Sequence, residues 1–193
     1  AVAGIRVVVV PSLERVFRDQ VGLAGDDSVR VSCARGETES CQIVVINEGK
    51  DTLHAMDLEW SMPTTQDGRY PRLNFFRVHY VQVKEPSHRM PPRLGWYPDG
   101  LIPFEDPYTG LPPSKARYQA RGQDLSPGEC QPYWLDVIVP RDAKPGTYAG
   151  EIRVLARGFR RHLDLVLTVW DFELPVTAAL PTVIGGSSSS GIR

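Results

Sequence analysis

Cysteine is scarce: Cys33, Cys41 and Cys130 are the only three in 193 residues, too few and too scattered for a disulfide framework. Being odd in number, they leave at least one thiol unpaired. Cys33 and Cys41 flank a short polar stretch, so they either bridge across a hairpin or sit, like Cys130, as small buried thiols. Long apolar runs are missing as well. The longest, Ile5 to Val10, is broken by Arg6 and falls far short of the roughly 20 residues a spanning helix needs, so no membrane partner is expected. Nor does charge of one sign dominate. Lys plus Arg number 22 against 23 Asp plus Glu, a net charge of −1, and no field draws the chain to nucleic acid. The four histidines, His54, His79, His88 and His162, lie far apart in sequence with no cysteine or carboxylate at ligand spacing. His79 and His162 occupy the polar phase of strands. A nucleophile elbow, a phosphate loop, a dinucleotide fingerprint and a zinc spacing are all lacking, so no metal and no cofactor is expected. Ala1 to Val10 lacks the basic start and apolar core of a signal peptide, a picture that a cleaved signal would also leave.

Helical composition is confined to Ser12–Gln20, whose apolar residues Leu13, Val16 and Phe17 fit a short strand equally well. What the chain does have is turn-forming residues, with 17 glycines and 17 prolines, and a repeated two-residue alternation. The alternation is clearest late in the chain. Tyr133, Leu135, Val137 and Val139 share one face, with Asp136 on the other. Tyr148, Gly150, Ile152 and Val154 oppose Glu151 and Arg153, and Leu163, Leu165, Leu167 and Val169 oppose His162, Asp164 and Thr168. Val29–Cys33, Cys41–Ile46 and Met56–Trp60 carry the same signature, with turn chemistry beside them at Arg35-Gly36, Asn47-Glu48-Gly49, Gln66-Asp67-Gly68 and Pro145-Gly146. Leu73–Lys84 predicts a long strand that slips phase: Phe76, Val78 and Tyr80 agree, Val81 and Val83 do not, and a bulge near Tyr80 accounts for the change. Eight or nine antiparallel strands without a fixed repeat predict an all-β, two-sheet sandwich of immunoglobulin-like or jelly-roll-like type over residues 1–175.

Glu85 to Pro132 breaks the regular spacing. It holds ten of the 17 prolines, together with Trp96, Tyr97, Phe104, Tyr108 and Tyr118, and reads as a long aromatic insertion ordered by packing. Two functions are open to it. Trp96, Tyr97, Tyr108 and Trp134 either stack on sugar rings or cover the end of the sandwich and meet a neighbouring domain. Its carboxylates, Glu85, Asp99, Glu105 and Asp106, are candidates for a glycosidase pair if a loop brings two together, and with Asp124 they are candidate calcium ligands without a regular ligand loop. After Pro175 the composition changes once more. Residues 176–193, with Gly185–Gly191 rich in serine, read as a linker or a terminal tail.

Four segments carry a resemblance to a known family: Ala34–Val45, Trp96-Tyr-Pro-Asp-Gly-Leu-Ile-Pro103, Gln131–Gly150 and Trp170-Asp-Phe-Glu-Leu-Pro175. In this order they resemble the N-terminal β-sandwich of glycoside hydrolase family 123 and of related bacterial proteins. The resemblance implies a non-catalytic accessory domain. Its partner would be a C-terminal (β/α)-barrel that hydrolyses N-acetylgalactosaminides with help from the substrate's acetamido group, in an extracellular or periplasmic protein. The family's catalytic Asp-Glu neighbours belong to the barrel. This chain has only the reversed Glu105-Asp106, so no catalytic residue is carried over. Trp96, Tyr97, Asp99, Tyr108 and Trp134 remain as candidates for a ligand surface, carbohydrate included, or for the domain interface.

Overall fold

A computed structural model describes residues 3–61, 71–85, 94–106, 109–113 and 115–177. Among the described residues there is no helix, and the regular structure is ten strands. In chain order these are β1 (Ile5–Pro11), β2 (Val29–Arg35), β3 (Thr38–Asn47), β4 (Leu53–Ser61), β5 (Arg72–Val83), β6 (Gly95–Pro103), β7 (Gln123–Leu125), β8 (Glu129–Ile138), β9 (Gly146–Ala156) and β10 (Phe159–Glu173). They form two five-stranded sheets, β1-β3-β8-β5-β6 and β2-β10-β9-β4-β7, and the chain is an all-β sandwich. Seven pairings run antiparallel; β2 lies parallel to β10, with Val29 opposite Leu165 and Cys33 opposite Val169. A parallel neighbour needs a long connection, and most of the chain separates these two strands.

Alternation builds the core as the sequence predicts. Tyr133, Leu135 and Val137 of β8, Ile152 and Val154 of β9, and Leu163, Leu165 and Leu167 of β10 are enclosed and meet in one cluster. Each such aliphatic side chain contributes about 1.5–3 kcal/mol through its burial. Gly146 follows Pro145 at φ +141°, a backbone angle that suits glycine in the turn entering β9.

Two expectations change in the structure. Ser12–Gln20 is neither helix nor strand beyond Pro11; it begins an irregular stretch laid over the outer face of the first sheet. There Val16 and Leu23 close a second apolar cluster with Val8, Val10, Val44, Ile46 and Cys130. The cause is visible in β3, where Cys41 to Asn47 are buried without interruption: a strand apolar on both faces needs a cover on each. The proline-rich stretch is also less of an insertion than the spacing suggests. Gly95–Pro103 is strand β6 at the sheet edge, where prolines cost no ladder bond on the open side. Pro132 likewise sits in β8 just past the last residue paired with β5, Tyr133.

Candidate functional site

Beyond Arg77, β5 leaves β8 and continues with β6 alone as a two-stranded ribbon. His79 pairs with Gly100 and Tyr80 with Pro98, which makes Asp99 the extra residue of a β-bulge. A bulge does fall beside Tyr80, but its additional residue is on the partner strand, so β5 keeps its phase and Val81 and Val83 lie on its other face. A bulge bends its strand and re-aims the side chain it carries.

The segment after β1 is tied down beside this ribbon by two buried side chains. Gln42 Nε2 donates to the carbonyl oxygens of Pro11 (3.2 Å) and Glu14 (2.7 Å), and the Tyr80 hydroxyl donates to that of Val16 (3.0 Å). Between the segment and the ribbon runs an open groove of about 420 Å³, walled by Leu13, Arg15, Gln42, Asp99, Leu101 and Trp134 among others. Trp134 is held in place by its indole N–H, which donates to Asp136 Oδ1 at 2.6 Å; the same oxygen accepts from the Ser40 hydroxyl. An indole, a carboxylate, a guanidinium and an amide around one groove can meet both the apolar and the hydroxyl faces of a polar ring.

The structure therefore brings Asp99 and Trp134 together and sends the other candidates elsewhere. Trp96 and Tyr97 are consecutive in a strand and project to opposite sides, so they make no common platform. Trp96 lies under the Arg18 guanidinium at 4.7 Å, and Tyr97 meets the Phe17 ring edge-on at 5.4 Å. Tyr108 lies outside the described residues, as does His88. Among the acids, Glu85 is exposed, and Glu105 and Asp106 line a separate cleft of about 120 Å³, where Asp106 Oδ1 accepts the Thr109 N–H. Asp124 binds the Ala55 N–H (2.9 Å) and His54 Nδ1 (2.8 Å). Asp99 shares its groove with Glu14 instead, and both are exposed.

His79 is half-buried rather than exposed, its ring 4.5 Å from that of Tyr118. Burial, and then the Arg77 charge, hold its pKa below the ordinary imidazole value against the pull of Asp99. His162 is exposed beside Asp164 and Glu151. All three cysteines are free and buried. Burial pushes the Cys33 and Cys41 thiols up to about 12 and that of Cys130 to about 11, which leaves little reactive thiolate. Among the described residues no group of three or more His, Cys, Asp or Glu side chains is placed to hold a metal ion.

Sequence reasoning reads Gln42 only as a side chain that satisfies backbone groups at a sheet edge, as it does for Pro11 and Glu14, and it misses Gln42 and Arg15 as groove residues because their stretches have no functional pattern. The signal that points to them is the unbroken apolar run Ile43–Ile46, which calls for a covering segment.

No protein-family model and no curated protein matches the sequence. Solved structures do. A family 123 glycoside hydrolase from Clostridium perfringens, studied for glycolipid glycan hydrolysis, aligns over 89% of this chain and 28% of its own, with a TM-score of 0.63 and 14% identity. The likeness is one of fold, and this chain spans less than a third of that protein's length. A FixG-related protein from Vibrio parahaemolyticus aligns over 87% of this chain and 98% of its own at a TM-score of 0.39 and 9% identity.

Proposed function

We propose that this chain is the non-catalytic N-terminal accessory domain of a bacterial glycoside-hydrolase-like protein, packing on and helping to shape a C-terminal (β/α)-barrel that carries the chemistry. The observation behind the reading is the fold likeness to one part of the much longer family 123 hydrolase. The ribbon adds a physical reason. It presents Leu94, Trp96 and Leu101 to solvent at 40–54% exposure, on an edge strand stiffened by Pro98 and Pro103. The parent would act on N-acetylhexosaminides outside the cytoplasm.

Deleting Arg93 to Pro113 would be a poor test, because it removes strand β6 and unfolds the sheet edge whatever the ribbon does. A surface substitution separates the two effects. Leu101→Ser changes the stability of the isolated chain by about 0.5 kcal/mol or less, as surface substitutions do. In the longer protein it is expected to lower the unfolding temperature or the hydrolytic rate clearly. Equal, small effects in both would count against docking through the ribbon.

One observation favours a second reading, in which the domain binds carbohydrate: the groove that gathers Trp134, Asp99 and Arg15. Calorimetry or a glycan array with the isolated chain would then show binding that Trp134→Ala abolishes. Binding unaffected by that substitution would exclude this groove.

A further inference from the structure

On the opposite side of the ribbon, Arg77 faces inward from β5 as the cross-strand partner of Tyr133 on β8. It is only 7% exposed. Its Nε donates to the Gln119 carbonyl oxygen at 3.0 Å, and among the described residues no carboxylate lies within ion-pair distance of it. Among the described residues its two Nη atoms have no hydrogen-bond partner, and Arg77 lines the adjoining cavity, which measures about 250 Å³. A buried guanidinium is costly unless something pairs with it. The enclosed hydroxyl of Tyr133 next to it also has no hydrogen-bond partner among the described residues.

The remaining polar groups around the cavity do not supply that partner. Glu129 is bound by Arg18 through both oxygens at 3.1 Å. Both Asp124 oxygens are taken by Ala55 and His54. Gln131 Nε2 is spent on the carbonyl oxygens of Val78 and Pro132, and Gln123 Nε2 on that of Arg121. His79 adds an imidazole to the wall. The site thus offers a guanidinium whose Nη edge has no partner among the described residues, in a space large enough for a small acid, and guanidinium forks match oxyanions through paired N–H bonds.

We propose that this cavity binds a single oxyanion group, carboxylate or sulfate, on the Nη edge of Arg77. The proposal holds whether or not a barrel domain follows. It is tested by thermal unfolding of the chain in sodium sulfate, sodium acetate and sodium glucuronate, each against chloride at matched ionic strength. At ten times the dissociation constant a saturable rise of roughly 3–6 °C over chloride is expected, and Arg77→Met should lose it. Saturation at much lower glucuronate than sulfate or acetate assigns the group to an acidic sugar; similar concentrations assign it to a free anion. No rise, or the same rise in Arg77→Met, overturns the proposal. If Arg77→Met does not fold, the Arg77 Nε–Hε resonance of ¹⁵N-labelled protein decides: a saturable shift with sulfate supports the site, and an unmoved resonance refutes it.

Discussion

Ala55 is the residue whose backbone is hardest to account for by propensity. It sits on β4 at φ 55°, a left-handed angle that its methyl group disfavours, between Leu53 and Met56 where the register against β7 shifts. Asp124 explains how it is held there, since Oδ1 takes the Ala55 N–H and Oδ2 meets His54. The left-handed conformation costs roughly 1–2 kcal/mol for a residue with a Cβ, partly offset by the extra chain entropy glycine brings to the unfolded state. Ala55→Gly is therefore expected to raise the unfolding free energy by roughly 0.5–1 kcal/mol in urea denaturation. A loss of stability would show that the methyl group packs more than it strains. The same contact predicts a pH effect. The Ala55 N–H, and after it His54, hold the Asp124 carboxyl below its ordinary value. A carboxyl so depressed stabilises the fold above its unfolded value of roughly 4, and that stabilisation fades as pH falls through the folded value. Asp124→Ala should flatten the acid limb of the stability curve; an unaltered limb would remove Asp124 from the account.

At the scale of elements, the irregular segment after β1 depends on two distant side chains, Gln42 and Tyr80. Tyr80→Phe leaves the Val16 carbonyl without its donor and should cost about 1–2 kcal/mol. Hydrogen exchange would quicken between Arg15 and Leu23 while β9 and β10 keep their protection. Uniform quickening would mean the segment is part of the global fold rather than a cover fastened to it. This dependence also explains what could be read in advance. Strands β9 and β10 were legible because one face is buried and the other is mostly polar or exposed, so Leu163, Leu165 and Leu167 declare the inside. In β3 and β5 both faces are covered, and Phe76, Val78 and Tyr80 share a face that proves to be the outer one. Arg77 falls in the inward phase of β5, where the polarity of an arginine argues for the wrong side. The grouping of Asp99 with Trp134 rests on pairing between strands far apart in sequence. Trp96 and Tyr97 do not share a face, because alternation separates neighbours in any strand.

At the scale of the whole molecule, the ribbon and the end of β10 stand at opposite ends of the sandwich. Arg72 at the start of β5 pairs with Ile138, close to Arg141, whose Nη1 donates to Glu173 Oε1 and to the Leu174 carbonyl oxygen. The Leu174 N–H donates in turn to the Arg35 carbonyl oxygen, and Arg35 lies 3.8 Å from Asp171. The end of β10 is thereby fixed in direction. Beside it Trp170 and Phe172 stack at 5.6 Å, both exposed. The twelve residues of β5, at about 3.3 Å each, separate this end from the ribbon tip by roughly 36–40 Å. A following domain that touches both must lie along the side of the sandwich rather than cap it. In the proposed longer protein, hydrogen exchange should then slow at both Leu94–Leu101 and Trp170–Phe172 relative to the isolated chain. Slowing at the end of β10 alone would mean an end-on arrangement that frees the ribbon for another partner, and slowing at neither would remove the physical basis for an accessory role.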